Sequence, residues 1–460
     1  MPGYDGRIRH RGDAQSRTPR TELSPERRYG GGMAETYRTA SLDEHSARAL
    51  AANGLRLALV DTADEATFTE WIRSGFRGFH DRQPSDKTLA EARGYLADRR
   101  TTAVYEDDLP NAWPVGTVNS WVAPLTVPGG GTLDTWAISS VTVSPTHRRR
   151  GMATALLGAE LRTAHRLGVP VAVLTVSESV IYGRWGFGPA TYAASWAVDT
   201  KRVRWAGGDT PGRLAFTSPD EYRETGHRVL DRAMAARAGE IGMTPFLADQ
   251  LIGPLSDTPD REKHRLVRYD SPAGEPEGFV SFTVTATDDV VRHTVEVRHL
   301  AAATDAALAA LWRFLLELDL VAVVKASIRD VDEPLQALVS DVRGAQLTGA
   351  EDHLWMRILD VPASLEARSY ERDGSLVLEV TDDLGMAAGR YRLTVAGGAG
   401  RVERTDDAAE ATLPVAALGS VYLGHDSARA LGVAGRIRGD VAALDRLFRT
   451  SVPTRLSMWF

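Results

Sequence analysis

The sequence has 460 residues, of which 43% are hydrophobic and 25% are charged, values typical of a soluble globular protein with about two to four domains. Its net charge of −7 argues against nucleic-acid binding by the chain as a whole, and the absence of cysteine excludes disulfides, thiolate metal ligands and cysteine nucleophiles. No apolar run approaches the roughly 18 residues of a membrane span, no signal-peptide core is present and no HExxH-type cluster indicates a metal site. We therefore expect no membrane span, no metal and a cytoplasmic location, with export by a route that needs no signal peptide as the alternative.

The first 50 residues are predicted to form a disordered extension. Residues 1–32 are rich in Arg, Gly and Pro and poor in aliphatic side chains. Met33 directly follows a glycine run, whose purine-rich codons resemble a ribosome-binding site, and we hypothesise that Met33 is the natural start. A basic tail with a function of its own is the alternative, and the N-terminal mass of the native protein distinguishes the two.

Residues 51–205 alternate between strand-like and helix-like patterns, which predicts a mixed α/β unit. The predicted strands lie at 55–61, 101–107, 114–128, 129–145, 169–177 and 190–200. The predicted helices lie at 66–80, 151–168 and 179–188.

Residues 206–361 repeat this order, with a strand pair at 277–304 and a helix at 305–319. "VEVRHLAAATDAALAALW" stands where "VTVSPTHRRRGMATALL" stands in the first unit, but it lacks the arginine-glycine turn. We interpret the repeat as an internal duplication with one degenerate site.

Residues 362–460 have a different texture and are predicted to form an α+β domain. Strands are expected at 374–383, 389–398, 399–407 and 411–424. A helix followed by an extended tail is expected at 440–460.

The turn "THRRRG" concentrates positive charge at the point where a strand gives way to a helix. A helix that begins at Gly151 leaves its first four backbone amides without an intrahelical partner, and its dipole favours an anion there. Gly151 permits close approach of a ligand, Ala153 keeps the surface small, and Arg148, Arg149 and Arg150 add charge. A di- or polyphosphate is the expected ligand, and a solvated arginine turn is the alternative.

The pattern Arg-x-x-Gly-x-Ala is neither a Walker loop nor a dinucleotide fingerprint. It resembles the coenzyme A loop of the GNAT acetyltransferases, Arg/Gln-x-x-Gly-x-Gly/Ala. "YGRWGFG" at 182–188 resembles a signature of one branch, the Eis (enhanced intracellular survival) family, and "LWMRILDVPASLEARSY" at 354–370 resembles that family's junction into its last domain. The resemblance implies tandem GNAT folds, the first active at 51–205 and the second degenerate at 206–361, followed by a sterol-carrier-protein-like α+β domain at 362–460. It also implies a homohexamer.

The implied activity is acetyl-CoA-dependent transfer of an acetyl group to a primary amine by direct attack in a ternary complex. Aminoglycosides, polyamines and lysine side chains of peptides are the expected acceptors. The alternative is a protein that senses coenzyme A or binds an apolar ligand without turnover. Release of thiol from acetyl-CoA in the presence of a panel of amines distinguishes the two.

The resemblance also implies where the coenzyme binds. The backbone of Val141 and Val143 would pair with the pantetheine arm like an added strand. The complete implied set is Val141, Val143, Arg148, Arg149, Arg150, Gly151, Met152, Ala153 and Ser177.

Two groups are implied in proton transfer. Tyr182 is the expected acid, because a phenol with a pKa near 10 is protonated at neutral pH and can donate to a departing thiolate; a buried structural tyrosine is the alternative. The terminal carboxylate of Phe460 is the expected base or the group that attracts a cationic acceptor, and Glu178 is the competing carboxylate. A C-terminus packed in a core and a helix-capping Glu178 are the alternatives.

Aromatic and acidic side chains suit a polycationic amine. Candidates for contact with the acceptor are Phe76, Phe79, His80, Asp81, Ser140, Glu178 and Trp459, and ordinary helix core is the alternative for Phe76 and Phe79. The family often has an acid where this chain has Gly78, an aromatic residue at Ser140 and a histidine at Thr175. These departures argue against aminoglycosides specifically.

Overall fold

The computed structural model describes residues 34–109, 113–252, 257, 261–289 and 291–460. The hypothesis about Met33 and the prediction for residues 1–33 fall outside these ranges. The predicted disorder of residues 1–50 is wrong from residue 34 onward, where the chain forms the helices α1 (Ala34–Thr39) and α2 (Glu44–Ala51). Most residues of this segment are polar, but the side chains of Tyr37 and Leu50 are buried in the core. An ion pair of 2.7 Å between Asp43 and Arg162 also holds the segment against the helix that contains Arg162.

The next elements begin with a strand at Arg56 and end near Pro189. They are β1 (Arg56–Leu59), α3 (Glu65–Gly78), α4 (Asp86–Leu96), β2 (Arg100–Tyr105), β3 (Gly116–Thr126), β4 (Thr132–Val143), α5 (Met152–Arg166), β5 (Val171–Thr175), α6 (Ser179–Tyr182) and β6 (Gly188–Pro189). Helix α3 begins where Asp64 accepts hydrogen bonds from the amides of Ala66 and Thr67.

The following stretch contains the elements of the second repeat. They are β7 (Tyr192–Asp199), β8 (Arg213–Phe216), α7 (Pro219–Ala235), α8 (Pro245–Ile252), β9 (Arg265–Asp270), β10 (Pro276–Thr285), β11 (His293–Ala302), α9 (Asp305–Leu316), β12 (Val321–Arg329), α10 (Leu335–Leu338), β13 (Ala345–Asp352) and β14 (Leu354–Ile358). None of the described helices combines the length and apolar character that crossing a bilayer requires.

The two repeats build two sheets of the same kind. The first has the strand order β1-β2-β3-β4-β5-β14-β6, and the second has the order β13-β7-β12-β11-β10-β9-β8. In each, an antiparallel pair is followed by a helix and a parallel pair, β4-β5 in the first sheet and β11-β12 in the second. The predicted duplication is confirmed.

Each sheet contains one strand from the other sequence segment. Strand β7 lies between β12 and β13 of the second sheet, and β14 lies between β5 and β6 of the first. A boundary at residue 205 therefore does not separate the sheets, because the last strand of 51–205 and the last strand of 206–361 have exchanged places.

The last unit contains α11 (Val361–Ala367), β15 (Gly374–Thr381), β16 (Gly389–Ala396), β17 (Ala399–Arg404), β18 (Ala411–Pro414), α12 (Val415–Tyr422), α13 (Ala428–Val433), β19 (Arg438–Gly439) and α14 (Val441–Phe448). Its sheet has the order β17-β16-β15-β18-β19. The strand predicted at 411–424 is wrong beyond Pro414, where helix α12 begins. Nearly all of α12 is buried, and an apolar run buried on most sides has no period that separates helix from strand.

Candidate functional site

Strands β4 and β5 diverge at their carboxyl ends. Their parallel pairing begins at Thr135–Val171 and stops at Ile138–Leu174, while β4 continues to Val143 with its other edge paired to β3. The register between β3 and β4 shifts near Ser140, which has a left-handed backbone with φ of 53°. Beyond Ile138, one edge of β4 therefore has backbone groups that no β5 residue pairs with, and Val141 and Val143 lie on this edge.

The turn after β4 presents the start of α5 without a side-chain cap. Gly151 is the N-cap residue and has φ of 80°, a conformation that glycine adopts without strain. No atom lies within 4 Å of the position that a Cβ at residue 151 would occupy, so this face of the turn is open. The unpaired amides at the start of α5, which include those of Met152 and Ala153, make this turn a candidate anion site.

The three arginines of the turn differ in their contacts. Arg150 forms an ion pair of 2.7 Å with Glu106 and donates a hydrogen bond to the carbonyl of Asn53. Arg148 and Arg149 are exposed, and neither side chain makes a hydrogen bond or ion pair with another described residue. Arg150 therefore holds the turn in place, and Arg148 and Arg149 are available to an anion.

The corresponding turn of the second sheet is closed to an anion. Thr304 caps α9 by accepting a hydrogen bond from the amide of Ala307, and Asp305 adds a carboxylate in the first turn. The Thr304 hydroxyl in turn donates to Glu277 at 2.9 Å. The second copy lacks the arginines, and a backbone amide at the start of its helix α9 already has a side-chain partner.

Tyr182 ends helix α6 and is 8% exposed. Its ring packs edge-on against Phe187, and no hydrogen bond joins its hydroxyl to another described residue. Burial, and then the negative charge of Glu178, raise the pKa of Tyr182 above its usual value of 10, so the phenol stays protonated at neutral pH. Ser177 and Glu178 are exposed just before α6.

The segment after α14 connects the second sheet to the first. Ser457 donates from its amide and its hydroxyl to the buried Glu240, both at 3.0 Å. His353 donates from Nε2 to the carbonyl of Met458 at 2.8 Å, and the Trp459 ring lies against the His353 ring at 4.5 Å.

The last residue reaches the first sheet. Phe460 accepts a hydrogen bond of 2.7 Å from the Thr175 hydroxyl at the end of β5, and its ring packs edge-on against Trp121. We call residues 455–460 the C-terminal strap. It begins in a small cleft between β11, the start of α9 and the end of β12, which is the equivalent in the second sheet of the β4-α5-β5 region.

A cavity of about 270 Å³ lies between α3, α4, the register shift of β4 near Ser140, here named the β4 bulge, and the C-terminal strap. We call it the acceptor cavity because residues predicted to contact the acceptor line it. Predicted acceptor residues that line it are Phe76, Phe79, Asp81, Ser140 and Trp459, and Phe460, whose carboxylate was predicted to act in proton transfer, lines it as well. Tyr182 and Glu178 do not line it, and His80 has a left-handed backbone at the exposed end of α3.

The close contact between α3 and β4 at Gly78 explains why this chain has no acidic residue at position 78, where the family often has one. A Cβ at residue 78 would lie 2.4 Å from Cβ of Thr142, so α3 approaches β4 too closely for any side chain there. A second cavity of about 420 Å³ lies beside this contact and is lined by Arg77, Trp113, Thr142 and the turn at 144–147. Strand β4 thus passes between the two cavities.

The sequence did not reveal several residues of the acceptor cavity, among them Trp71, Tyr95, Arg99 and Ser139. Arg99 is 5% exposed and stacks on Trp121, with its guanidinium carbon 3.8 Å from the ring centre. The sequence feature that could have indicated Arg99 is the pair of arginines before the otherwise uncharged run "TTAVY". Among the described residues, no group of three or more His, Asp or Glu side chains could hold a metal ion.

Comparison with known proteins identifies each unit. Residues 60–190 and 252–358 each match a model described as an acetyltransferase (GNAT) domain, and residues 361–456 match one described as a sterol carrier protein domain. The two acetyltransferase matches fall on the two sheets, and the third falls on the last unit.

Similar proteins share nearly the whole arrangement. An uncharacterized N-acetyltransferase of Streptomyces avermitilis is 36% identical over 404 residues, which cover 84% of this chain and 95% of that protein. The N-acetyltransferase Eis of Mycobacterium tuberculosis is 36% identical over 350 residues, which cover 73% of this chain and 83% of that protein. The crystal structure of Eis1 from Mycobacterium abscessus superposes with a TM-score of 0.74 at 29% identity and covers 88% of this chain and all of that one. The chain therefore belongs to the Eis family of GNAT N-acetyltransferases, with two GNAT domains and a sterol carrier protein domain.

Proposed function

We propose that the chain transfers the acetyl group of acetyl-CoA to a primary amine, at one site per chain, in the cleft where β4 and β5 diverge. The observation that carries the proposal is the adjacency of three features in the first sheet: a free β4 edge, an uncapped helix start at Gly151 and two unpaired arginines. The second sheet has the same strands but a capped helix start, which supports a single coenzyme site.

Residues of this chain fit the coenzyme. The amides of residues 151–153, together with Arg148 and Arg149, would hold the pyrophosphate, and the backbone of Val141 and Val143 would pair with the pantetheine arm. When bound, the thioester supplies an activated acetyl group. Ser177, which is exposed between β5 and α6, is a further candidate contact.

Tyr182 is the proposed proton donor. In the reaction a C–N bond forms to the neutral amine while the C–S bond breaks, so the amine loses one proton and the sulfur gains one. A buried phenol whose pKa is raised stays protonated at neutral pH, so it can donate its proton to the sulfur as the C–S bond breaks. Solvent then returns the proton to Tyr182.

Two carboxylates remain candidates for the group that receives the amine proton. The carboxyl group of Phe460 is held by Thr175 at the acceptor cavity, which favours it over Glu178 on the exposed side of α6. An α-carboxyl group with a pKa near 3.5 is a weak base, so attraction of the ammonium form of the acceptor is an equally good role.

The test is thiol release from acetyl-CoA with purified protein and a panel of primary amines that includes aminoglycosides, polyamines and lysine peptides. We expect turnover with at least one amine and none without an amine. Coenzyme binding without turnover on any amine would instead favour a binding protein.

We further propose that the chain assembles as a homohexamer, as the family resemblance implies, and that it acts in the cytoplasm. Light scattering during gel filtration should then give six times the 49.9 kDa of one chain. A monomeric mass would contradict the assembly.

A further inference from the structure

The acceptor cavity contains a buried cation. Arg99 lines this cavity immediately before β2, and only 5% of its surface is exposed. Its guanidinium lies between the rings of Trp121 and Tyr95, with its central carbon 3.8 Å and 4.8 Å from the two ring centres. Arginine stays protonated in proteins, so the cavity carries a fixed positive charge.

No carboxylate of the described residues forms an ion pair with Arg99. Its Nη1 donates to the neutral side chain of Asn119 at 3.0 Å. The neighbouring Asp98 is exposed, and the oxygen of Phe460 instead accepts a hydrogen bond from Thr175. A buried charge without an ionic partner is costly, and its retention at a ligand cavity is explained when the ligand brings the counter-ion.

The remaining walls fit a small zwitterion. Phe76, Tyr95 and Trp71 supply flat apolar surface, and Asp81 is exposed at the same cavity. A volume of about 270 Å³ lies at or below the roughly 300–1,000 Å³ of drug-sized ligand sites. A guanidinium fork binds a planar carboxylate through two parallel hydrogen bonds.

We propose that the acceptor is a small primary amine that also bears a carboxylate, and that Arg99 binds this carboxylate while the amine points toward the β4 bulge. The proposal rests on the proposed acetyltransferase function and narrows its substrate class. It also fits the departure of this sequence from the family pattern at Gly78, since a buried guanidinium repels a second ammonium group and the contact at Gly78 excludes an added acid.

The experiment compares matched acceptors that differ only in the carboxylate. The pairs are lysine and lysinamide, phenylalanine and phenylalaninamide, and 4-aminobutanoate and its amide. For each pair, kcat/KM is measured with wild-type protein and with Arg99→Gln, and the two carboxylate-to-amide ratios are compared. Dividing the ratios removes the intrinsic difference in amine reactivity between acid and amide.

We expect the ratio to be about 10- to 100-fold higher in the wild type than in Arg99→Gln for at least one pair, as for a hydrogen bond to a charged group. Arg99→Lys should fall between them, because it keeps the charge but not the fork. Arg93→Gln is the matched control, since Arg93 lies on the neighbouring α4 but pairs with Glu65 and should leave the ratio unchanged. Equal ratios in wild type and Arg99→Gln would overturn the proposal.

Two further measurements keep the outcomes separate. If Arg99→Gln does not fold, the wild type alone is tested with butanoate and 3-phenylpropanoate against their amides as inhibitors competitive with the acceptor. Stronger inhibition by the acids supports the proposal, and equal inhibition contradicts it.

If no amine is turned over, the acetyltransferase proposal fails by itself. Calorimetric binding of the same acid and amide pairs in the presence of coenzyme A then still decides the role of Arg99.

Discussion

At the scale of single residues, the three arginines of the turn at 148–150 differ in their contacts, which assigns them different expected roles. Arg150 is tied to Glu106 and Asn53, whereas Arg148 and Arg149 are exposed beside the helix start. His147 also contacts Glu106 at 2.8 Å, so this carboxylate fixes the turn from two sides and its pKa is held below the usual value. Arg148 and Arg149 are therefore the arginines expected to bind a phosphate group.

The double substitution Arg148→Gln with Arg149→Gln should raise the KM for acetyl-CoA by about tenfold or more and change kcat little, because the lost interactions act on ground-state binding. Steady-state kinetics at two salt concentrations measure this, and the effect should shrink at high salt. Arg166→Gln, on the last turn of the same α5, is the control and should behave as wild type. An unchanged KM in the double variant would remove the turn from the coenzyme site.

Tyr182→Phe should lower kcat by about 10²-fold, in the range of general acid catalysis, while the dissociation constant for coenzyme A stays the same. The ring and its contact with Phe187 are retained, so stability should change little. Because the pKa of Tyr182 is raised, wild-type kcat should show no decline due to this group below pH 10. A wild-type rate in Tyr182→Phe would exclude the phenol as the acid.

At the scale of elements, the first residues of the C-terminal strap are bound in the cleft of the second sheet. Arg455 lies 3.8 Å from Glu240 and 3.9 Å from Asp330, and its amide donates to Ala238. Glu240 also accepts both hydrogen bonds of Ser457. Contacts in the cleft of the second sheet, which lacks the arginine-glycine turn, thus fix residues that reach the cavity of the first sheet.

Glu240→Gln should lower kcat or the affinity for the acceptor and leave coenzyme A binding intact, because it loosens the strap without touching the arginine turn. An alanine added after Phe460 should have the same effect by moving its carboxyl group. Glu410→Gln, in the last unit, is a control away from the strap. If both strap variants had wild-type kinetics, the strap would have no part in turnover.

The strap should also make the protein sensitive to acid. Burial lowers the pKa of His353 to about 4, and burial with the charges of Arg455 and Arg329 lowers that of His299 to about 3. Both are neutral in the folded state, whereas the unfolded chain takes up protons near pH 6.5. Their contribution is therefore complete above pH 6.5 and falls as the pH drops toward 4, by up to about 1.4 kcal/mol per pH unit for each histidine.

His353→Gln keeps a donor for the carbonyl of Met458 but cannot titrate. The melting temperature of this variant should therefore decline less than that of the wild type between pH 6.5 and pH 4.5. Thermal unfolding at several pH values measures the difference. Parallel declines would show that His353 does not contribute to the acid sensitivity.

At the scale of the whole molecule, the exchange of β7 and β14 joins the two GNAT domains. Residues 171–175 pair with 354–358, and residues 194–199 pair with 323–329. The first sheet therefore lacks β14, the strand between β5 and β6, unless the chain extends to Ile358.

A fragment that ends at residue 205 should fail to fold, because β5 loses its β14 neighbour and β7 has no sheet to join. A fragment that ends at residue 361 retains all strands of both sheets and should give a cooperative thermal transition and bind coenzyme A. Circular dichroism and calorimetry distinguish the two. A folded, coenzyme-binding 1–205 fragment would contradict the interdependence of the sheets.

Contiguous features could be predicted from the sequence, and long-range ones could not. The turn from Arg148 to Ala153 and the YGRWGFG segment are local, so their spacing identified the repeat and the family. The acceptor cavity combines Phe76, Ser140 and Trp459, whose adjacency depends on the path of the strap. Arg99 was missed because an arginine at a strand start is usually exposed, and the strand exchange was missed because each strand fits either sheet by its pattern alone.

The position of β14 also sets when the protein can become active during its synthesis. About 180 residues separate β5 from its β14 partner, and at 5–20 residues per second they take roughly 10–40 s to appear. During that interval the nascent first domain exposes an unpaired strand edge beside a finished arginine turn, a state open to wrong pairing with a neighbouring chain. A half-made chain should therefore not transfer acetyl groups, because the sheet that carries the proposed coenzyme site closes only when the second domain is almost complete.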